Sequence, residues 1–458
     1  MLKDALVPVE EQPYEVPANW TWVKLGHLCE ITTGKLDVNA AVEDGEYPFF
    51  TCAKKIYSID QYSFDTEAIL IAGNGDFNVK FYKGKFNAYQ RTYVLYNFKS
   101  EVRYVYLYIL LTLDILTQNN RGSTIKYIRL GDLTNHLVPV PPLNEQKRIS
   151  DKVERLLEKI NQAKQLIEEA RSTFELRRAA ILDKAFRGEL TKKWRDEHRS
   201  EILDFVSHYQ LIKSDRLENV ESSRELKEVS QMFEEFKLEN SIDTNGWLHL
   251  KANMFCLNVN CGRTPSEDIS DTGEIPFLKV YNIVNNKIDF EYKPQFIPKE
   301  VNDQSLGKSK LFPNDVIMNI VGPPLKKIAI IPDDYPMWNM NQAIVRFRPL
   351  QYILPKFLYY CLQYDETLKE VINETRGVVG QSNISVSQSR NLMMPVPSLG
   401  EQKVIINVLE NLIEKEDDAI NNLNAQDAVL ERLKQSILSK AFTGMLGTGS
   451  KDDGSALD

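Results

Sequence analysis

The sequence predicts an α+β protein built from two copies of one module, each with a mixed β-rich domain and a long helix. The main observation is an internal repeat in the 458-residue chain: Pro139–Lys147 returns as Pro395–Lys403, and Ile181–Leu190 returns as Ile437–Leu446. Both pairs have the same offset (395 − 139 = 437 − 181 = 256), so the stretch between them has kept its length. A long repeat determines the architecture, and here it predicts pseudo-two-fold symmetry.

The first domain, residues 1–142, and its counterpart, residues 245–397, have the pattern of mixed sheets. Short apolar, β-branched or aromatic segments alternate there with Gly, Pro, Asn and Asp, which is typical of strands separated by turns. Each domain also has one predicted helix late in its span. The strand segments are Ala68–Ala72, Thr92–Tyr96, Val316–Ile320 and Ile328–Ile331, and the predicted helices are Tyr104–Leu116 and Pro355–Glu370.

A long helix follows each domain, at residues 143–190 and 398–446. Apolar residues recur there in alternating steps of four and three, which is the a/d seam of a coiled coil. Arg177 interrupts the first seam, whereas Glu416 and Gln426 interrupt the second. The helical part of each segment is about 43 residues, or roughly 65 Å at 1.5 Å per residue. The seam residues are Ile149, Val153, Leu156, Ile160, Ala163, Ile167, Ala170, Phe174 and Ile181, then Ile405, Leu409, Leu412, Ala419, Leu423, Leu430, Leu433 and Ile437.

The ends of these helices carry capping residues. Ser398 and Glu401 have the spacing of a capping box, and Gly188 and Gly444 suit the C′ position. A single helix of this kind could dimerise with a second chain. Two helices of equal length in one chain favour pairing with each other, and we expect an antiparallel coiled coil.

The antiparallel arrangement makes a specific prediction about the break in the first seam. A pair centred near Ile167 and Leu423 would bring Arg177 close to Glu414 or Glu416. Polar residues at such interruptions can fix the register of a coiled coil.

Residues 191–244 join the repeats, and residues 447–458 form a tail. Apolar residues in the joining segment are spread among charges, which predicts an amphipathic helical linker. The tail is rich in Gly, Ser and Asp, which predicts disorder. The apolar residues of the joining segment are Trp194, Ile202, Phe205, Tyr209, Ile212, Leu217 and Phe233.

The composition is typical of a soluble globular protein, with 43% hydrophobic and 26% charged residues. No run of about 18 apolar residues is present, and the first residues lack the apolar region of a signal peptide. The five cysteines are an odd number without a Cys-x-x-Cys motif, which fits a reducing compartment. We therefore expect a cytoplasmic protein that does not cross a membrane.

The net charge of −8 conceals a basic segment. Between Asn78 and Arg129, nine Lys or Arg residues stand against two acids, Glu101 and Asp114, and the balance reverses in residues 200–243. A basic segment within an acidic chain predicts a patch for polyanions.

Aromatic residues and amide side chains are interleaved with these bases, and a matching stretch of the second domain has the same residue types. Amide and guanidinium groups can form paired hydrogen bonds with base edges. The competing interpretation is that the aromatic residues are core and the bases a solvated face. The candidate DNA-binding residues are Lys80, Lys83, Lys85, Asn87, Gln90, Arg91, Arg121 and Lys126 in the first domain, and Lys326, Lys327, Asn341, Gln342 and Arg376 in the second.

The sequence carries no convincing catalytic motif. The five histidines are scattered without metal-ligand spacing, and Cys256 and Cys261 alone cannot form a zinc site. Gly307–Ser309 ends like a phosphate loop, but Asn302 stands where that motif needs Gly. The sequence therefore predicts a non-catalytic chain that binds no metal and no cofactor of its own.

Taken together, these motifs resemble the DNA specificity subunit of Type I restriction–modification systems. A Trp-led opening, a variable domain, a Pro-x-Pro-x-x-x-Glu-Gln motif, a long helix and an Ile-Leu-x-Lys-Ala-Phe-x-Gly motif all occur twice, between about Asn19 and Leu446. One departure is His249, which stands where the first copy has Trp22.

The resemblance implies that the β-rich domains are target recognition domains, each reading one half of a split site in double-stranded DNA. It implies that the helices set the distance between the halves and dock two modification (methyltransferase) subunits. S-adenosylmethionine, ATP and Mg are then expected on those partners and on motor–nuclease restriction subunits. The candidate docking and coiled-coil residues are Glu145, Gln146, Leu156, Ile160, Phe174, Phe186, Glu401, Gln402, Leu412, Leu423 and Phe442.

The main alternative is a non-catalytic coiled-coil scaffold whose β domains bind proteins. An enzyme with an unrecognised active site is a third hypothesis. A DNA shift assay with the chain separates the first two, because only a recognition subunit would retard a DNA duplex.

Overall fold

A computed structural model describes residues 5–117, 127–200, 202, 204–265, 267–376 and 383–456. The chain forms two compact units. Unit 1 contains Met1–Ala170 and Asn421–Asp458, and unit 2 contains Arg171–Ile420. Each unit therefore combines one β-rich region with part of both long helices, whereas the domain boundaries drawn from sequence separate the helices from the domains.

Unit 1 is built on a six-stranded sheet in the order β2-β7-β5-β6-β3-β4. Its β3 and β6 are parallel, and the other neighbouring strands are antiparallel. The elements are β1 (Thr21–Lys24), α1 (Leu25–Leu28), β2 (Glu30–Thr33), β3 (Tyr47–Phe50), β4 (Tyr57–Ile59), β5 (Phe64–Ala72), β6 (Val79–Ala88), β7 (Thr92–Tyr96), α2 (Val102–Thr117), α3 (Leu130–Thr134), β8 (Leu137–Val140) and α4 (Leu143–Phe186).

Both faces of this sheet are buried. Alternate residues of a strand point to opposite faces, so Ile69 and Ile71 pack with the residues of α2 while Leu70 packs with Phe50 and Phe86. This two-sided burial explains the continuous apolar run of β5, and the predicted strands Ala68–Ala72 and Thr92–Tyr96 are confirmed.

Unit 2 has two four-stranded sheets, in the orders β10-β19-β16-β17 and β14-β11-β18-β15. Its elements are α5 (Lys192–Glu197), α6 (Phe205–Glu218), α7 (Ser223–Glu235), β9 (Leu248–Lys251), α8 (Ala252–Phe255), β10 (Cys256–Cys261), β11 (Ile275–Leu278), β12 (Ile283–Val284), β13 (Lys287–Ile288), β14 (Phe296–Ile297), α9 (Lys299–Gln304), β15 (Lys310–Leu311), β16 (Val316–Asn319), β17 (Ile328–Ile330), β18 (Trp338–Met340), β19 (Ile344–Pro349), α10 (Pro355–Gln363), α11 (Asp365–Arg376), α12 (Val386–Arg390), β20 (Met393–Val396) and α13 (Leu399–Phe442).

The predicted strands of unit 2 are confirmed as β16 and β17, but the predicted helix Pro355–Glu370 is two helices. Tyr364 separates α10 from α11 with extended backbone angles, φ −64° and ψ 126°. The helical period of the sequence continues across this residue, so the break could not be seen from the pattern.

The two long helices are confirmed, and each has 44 residues. Gly188 and Gly444 follow their ends with φ of 73° and 75°, a left-handed conformation that glycine adopts without strain. The amide after each glycine donates to the carbonyl four residues before that glycine, from Glu189 to Lys184 and from Met445 to Lys440, both at 3.0 Å. Both helices therefore end in the predicted glycine cap.

Within unit 1 the segments of α4 and α13 run in opposite directions. Lys152 Nζ donates to the Leu446 carbonyl at 2.7 Å, and Lys164 Nζ lies 2.5 Å from the Glu431 carboxylate. Residue numbers thus rise along one segment while they fall along the other.

In unit 2, the observed ion pair lies one residue along each helix from the predicted pair of Arg177 with Glu416. Glu414 was the other predicted partner. The ion pair joins Arg178 and Asp417 at 3.0 Å. The Arg177 guanidinium instead lies 5.7 Å from the centroid of the Phe174 ring.

The segment 191–244 is helical, as predicted, but it is not a bare linker. Tyr209 and Ile212 of α6 and Val229 and Phe233 of α7 are buried with Phe255 in the core of unit 2. The amphipathic pattern predicts the helices. It does not predict their burial, because the apolar residues that they pack against are distant in sequence.

The prediction of a disordered tail is wrong for its described residues. Arg148 Nε donates to the Thr448 carbonyl at 2.9 Å, and the Arg148 guanidinium also pairs with Asp453. The amide of Ala456 donates to the Asn19 carbonyl at 3.0 Å. Polar composition was a poor guide here because the tail is held by hydrogen bonds rather than by apolar burial.

Candidate nucleic-acid interface

Four loops of unit 1, residues 34–37, 51–55, 73–78 and 89–91, meet in a first loop cluster. Backbone hydrogen bonds of 2.9 Å connect them, from Tyr89 to Phe50, from Gln90 to Leu36 and from Gly73 to Arg91. The side-chain Nδ2 of Asn78 also donates to the Cys52 carbonyl at 2.8 Å. The cluster is therefore a defined surface and not a set of independent loops.

The first loop cluster exposes several cations. The predicted residues Gln90 and Arg91 are exposed at its centre. Lys35, Lys54 and Lys55 are exposed in the neighbouring loops and were missed, because they lie outside the basic segment of the sequence. The acids of these loops are Asp37 and Asp76.

Lys80 supports this cluster from within. Its ammonium donates to the Ala53 carbonyl at 2.7 Å and to the side-chain oxygen of Asn78. Burial lowers the pKa of Lys80, since desolvation disfavours its charged form. Two of its three donors thus hold the loop that carries Lys54 and Lys55, and the predicted DNA contact of Lys80 stays a prediction.

The other predicted bases of the first domain lie on β6 or outside the description. Lys83 is exposed, with its ammonium 3.9 Å from the Glu67 carboxylate. Lys85 is exposed, with its ammonium 4.6 Å from the centroid of the Tyr62 ring. The predicted residues Arg121 and Lys126 fall outside the described residues.

Unit 2 has a second loop cluster, formed by residues 261–264, 278–280, 320–327 and 340–343. The Asn341 amide donates to the Leu278 carbonyl at 3.0 Å, and the Arg263 amide donates to the Met340 carbonyl at 3.2 Å. The Ile320 amide donates to the Ala343 carbonyl at 2.8 Å.

The predicted residues Asn341 and Gln342 lie together in this second loop cluster. Gln342 is exposed, and its side-chain oxygen accepts a hydrogen bond from the Thr264 hydroxyl. Asn341 is half-buried, and its side-chain oxygen accepts from the Ala343 amide at 3.3 Å. Gln342 is thus the more available of the two.

The lysines of the second loop cluster are partly engaged. Lys326 Nζ lies 2.5 Å from the Asp365 carboxylate. The backbone amide of Lys327 donates to Asn319 Oδ1 at 2.7 Å, and its side chain is half-buried. Arg376 is the last residue of α11, and its side chain lies outside the description.

The prediction that Asn87 contacts DNA is wrong, because this side chain is buried. Its Oδ1 accepts from the Ala88 amide at 2.9 Å, and its Nδ2 donates to the Gln61 carbonyl at 3.2 Å. Asn339 is buried in the same way in unit 2, where its Oδ1 accepts from the Met340 amide at 2.8 Å. Both side chains satisfy interior backbone groups.

The repeated Glu-Gln motifs form anchors inside each unit. Glu145 accepts from the indole Nε1 of Trp20 at 3.0 Å, and Glu401 accepts from that of Trp247 at 2.9 Å. Each carboxylate thereby ties the start of a long helix to the strand that opens the domain of its unit.

The glutamines complete these anchors. Gln146 Nε2 donates to the Pro141 carbonyl, and its Oε1 accepts from the Glu101 amide, both at 2.8 Å. Gln402 Nε2 donates to the Pro397 carbonyl at 2.9 Å, and its Oε1 accepts from the Leu354 amide at 2.8 Å. Both glutamines and both glutamates are almost fully buried.

The docking role predicted for these motifs is corrected accordingly. Glu145, Gln146, Glu401 and Gln402 are used within the chain and do not present a surface to a partner.

The same correction applies to the two phenylalanines. Phe186 packs on Phe357 and Tyr364, with ring centroids 5.5 and 5.3 Å apart. Phe442 packs on Tyr104 and Tyr108, at 5.1 and 5.0 Å.

The predicted seam is buried near the domains and more open elsewhere. The buried seam residues are Ile149, Val153, Ile160, Ile167 and Ile437 in unit 1, and Ile405 and Leu409 in unit 2. Leu433 is 46% exposed. The half-buried seam residues are Leu156, Ala163, Ala170, Phe174, Ile181, Leu412, Ala419, Leu423 and Leu430.

Among the described residues, no group of three or more His, Cys, Asp or Glu side chains is placed to hold a metal ion. In the same part of the chain, no helix is both long enough and apolar enough to cross a bilayer. The buried thiols Cys29, Cys256 and Cys361 have pKa values raised by desolvation, which disfavours the thiolate.

Two β-rich units, each anchored to the long helices by the same Glu-Gln contacts, define a duplicated α+β protein. The chain belongs to the family described as the Type I restriction modification DNA specificity domain, whose model matches residues 17–171 and 255–426. This confirms the resemblance drawn from the repeated motifs.

Named relatives span nearly the whole chain. The Type I restriction enzyme EcoDI specificity subunit of Escherichia coli is 29% identical over 436 residues, covering 94% of this chain and 90% of the relative. The Type I restriction enzyme MjaVIII specificity subunit of Methanocaldococcus jannaschii is 23% identical and covers 94% of each chain.

Solved structures share the fold. A chain from a study titled as the structural basis of complex assembly and conformational transition of the type I R-M system has a TM-score of 0.65 at 18% identity. The match covers 95% of this chain and 100% of that chain. The HsdS subunit from Thermoanaerobacter tengcongensis has a TM-score of 0.50 at 18% identity, covering 96% and 100%.

Proposed function

We propose that this chain recognises a split target in double-stranded DNA and directs partner subunits of a Type I restriction–modification system to it. Each unit reads one half of the target through its loop cluster. The observation that carries this proposal is the presence, in a chain of this family, of one defined loop cluster in each of two similarly anchored units, with at least one exposed cation and one exposed amide among the described residues of each cluster.

The loop clusters have the chemistry that DNA recognition needs. Lysine and arginine neutralise phosphates and release counterions, while amide and guanidinium groups discriminate bases in the major groove. In unit 1, Arg91 is available for base edges and Lys54 and Lys55 for phosphates, while the exposed Gln90 amide can donate a hydrogen bond to DNA. In unit 2, Gln342 has the corresponding amide.

We further propose that α4 and α13 form an antiparallel coiled coil with pseudo-two-fold symmetry, which sets the distance between the half-sites. The opposite directions of the helix segments in unit 1 support this arrangement. The equal lengths of the helices and their identical glycine caps support the symmetry.

Two modification subunits are proposed to dock on this helical frame. In unit 1 a groove of about 610 Å³ lies between the helix segments, lined by Ala163, Ile167 and Leu423 together with the exposed apolar residues Leu166 and Val429. Apolar residues left uncovered on a helix pair suit a protein partner. S-adenosylmethionine chemistry, and the ATP- and Mg-dependent steps of cleavage, would then belong to the partners, in the cytoplasm.

Methylome sequencing of the host with and without this gene tests the function. We expect methylation at one split sequence to disappear in the deletion strain and to return with the complementing gene. Retention of every methylated sequence after deletion would contradict the proposal. Protein capture without any retardation of DNA by the assembled complex would favour the scaffold alternative.

A further inference from the structure

One corner of the two loop clusters is built in the same way, although the sheets that carry it differ. Unit 1 has a single six-stranded sheet, whereas unit 2 has two four-stranded sheets. We call this feature the shared corner, and define it by Gly34, Lys35, Asn87 and Gln90 in unit 1 and by Gly262, Arg263, Asn339 and Gln342 in unit 2.

Several hydrogen bonds of the shared corner recur in both units, such as that of the Gly34 amide to the Thr92 carbonyl at 3.2 Å and that of the Gly262 amide to the Ile344 carbonyl at 3.1 Å. The buried asparagine is the last residue but one of a strand that pairs in parallel with its neighbour, Phe49 with Asn87 and Phe277 with Asn339. Its side chain accepts from the next amide in both units, at 2.9 and 2.8 Å. Three residues after the asparagine, the chain presents an exposed glutamine, Gln90 or Gln342.

A glycine closes the corner from the other side. A Cβ atom on Gly34 would lie 1.9 Å from the Ala88 carbonyl oxygen, and one on Gly262 would lie 2.1 Å from that of Met340. Since no larger residue fits, the loop approaches the turn at the same place in both units. The next residue is therefore held beside the turn, and it is an exposed cation in both units, Lys35 or Arg263.

The exposed amides have similar but not identical neighbours. Gln90 Nε2 lies 3.4 Å from the Asp37 carboxylate, which also caps the turn at Asn39. The side-chain oxygen of Gln342 accepts from the Thr264 hydroxyl, so this glutamine has a neutral neighbour where Gln90 has a carboxylate. The Asp37 carboxylate makes the first corner less favourable for an anion, and the adjacent Lys35 opposes that effect.

The positions between the shared residues differ. The residue before the glutamine is Tyr89 in one unit and Asn341 in the other, and the residue after it is Arg91 or Ala343. Side chains that read bases must differ between domains that read different sequences, because each base pair presents its own pattern of donors and acceptors. The phosphate groups of the two half-sites are chemically identical.

We propose that the shared corner binds one DNA phosphate in each half-site and so positions the recognition loops without reading sequence; this rests on the proposed function. The cation of Lys35 or Arg263 pairs with the phosphate, and the glutamine amide donates to a second phosphate oxygen. Such contacts fix the register of a protein on DNA, whereas base contacts give specificity. Asn87 and Asn339 are positioning residues, since they act through the turn.

The test uses the complete complex with its modification subunits, carrying Lys35→Ala or Arg263→Ala. Affinity is measured over a range of salt concentrations for the cognate duplex and for one with a scrambled half-site. We expect the same fold loss on both duplexes and a decrease of about 1 in the slope of log Kobs against log salt for each cation removed. The methylated sequence should stay unchanged.

Gln90→Ala and Gln342→Ala should also weaken binding, by the same factor for both duplexes. The salt slope should not change, because no charge is lost. Lys35→Arg keeps the charge and should keep the wild-type affinity and salt slope. That result would show that the loss in Lys35→Ala comes from the missing cation and not from misfolding. Arg91→Ala is the contrasting variant, and it should change which sequence is methylated.

Two results overturn the inference. One is a changed or relaxed methylated sequence in Lys35→Ala or Arg263→Ala, which would make the corner a base reader. The other is unchanged affinity and slope in both variants while the wild-type complex binds its target. Failure of the wild-type complex to distinguish the two duplexes would instead refute the proposed function.

Discussion

Glu145 and Glu401 occupy equivalent positions in the repeat, but their surroundings differ. Glu401 accepts from Trp247, from the Thr191 hydroxyl at 2.7 Å and from the Arg195 guanidinium at 2.9 Å. Glu145 accepts from the Trp20 indole and from the Thr448 hydroxyl at 3.4 Å.

The difference lies in the segment that closes each anchor. In unit 2 the closing segment follows α4 and continues into α5, which supplies Arg195. In unit 1 it is the tail after α13, which supplies Thr448 and pairs Asp453 with Arg148 instead. The indole contact is therefore the constant part of the design, while the second donor depends on whichever segment follows the opposite helix.

Removing each carboxylate gives the largest expected effect and tests this difference. Glu401→Ala would remove the carboxylate that neutralises the mostly buried Arg195 and leave only its neutral partners, and we expect a loss of about 3 to 5 kcal/mol in the unfolding free energy of unit 2. Glu145→Ala would leave neutral donors unpaired, at a cost of about 1 to 3 kcal/mol in unit 1.

Hydrogen exchange by mass spectrometry, read separately on β9 and β20 and on β1 and β8, measures these losses. Lys403→Ala, an exposed neighbour of the motif, is the control. Equal losses in the two units would show that Arg195 adds nothing to the anchor.

Features with a local cause were predictable from sequence. The long helices, their length and their glycine caps follow from periodicity and capping rules that act within a few residues. The half capping box is instructive: Ser398 Oγ does accept from the Glu401 amide at 3.3 Å. The Glu401 side chain, however, turns to Trp247, 154 positions away, and no local rule reveals that preference.

The candidate site was predicted less well for the same reason. Asn87 and Gln90 are both amides in one basic segment, yet one is buried and the other exposed. Whether an amide is buried depends on which strand pairs with β6 beside it. Asn87 pairs with Phe49 of β3, which is distant in sequence. Lys35 and Arg263 were missed because each follows a single glycine far from the basic segment, although the repetition of Gly-cation in both copies was visible.

A second difference between the units concerns acid stability. His136 precedes β8 of unit 1, and Leu392 holds the same place before β20 of unit 2; their carbonyls accept from the equivalent Leu25 and Ala252 amides. Burial lowers the pKa of His136 to about 4. Below pH 6.5 the unfolded chain therefore binds a proton that the folded unit does not, so stability falls as the pH drops from 6.5 to 4.

We expect unit 1 to lose about 1.4 kcal/mol per pH unit in this window from His136. His136→Leu, which copies unit 2, should flatten that part of the pH profile of β1 and β8 in hydrogen exchange. His208 of unit 2 also has a pKa lowered by burial, so the pH profile of unit 2 should be the same in the variant and in the wild type. An identical acid slope in His136→Leu would assign the effect to other groups.

The smallest expected effect separates the two threonines that close the anchors. Thr191→Val keeps the shape of the side chain but removes a 2.7 Å hydrogen bond to a carboxylate, and hydrogen bonds to charged groups contribute about 1.5 to 3 kcal/mol. Thr448→Val removes a contact of 3.4 Å, which is near the limit for a hydrogen bond, so we expect less than about 0.5 kcal/mol. Hydrogen exchange, read separately on each unit, should show a smaller loss of protection in unit 1 for Thr448→Val than in unit 2 for Thr191→Val. If the order were reversed, the tail would hold Glu145 more tightly than this geometry allows, and the anchor of unit 1 would be the stronger of the two.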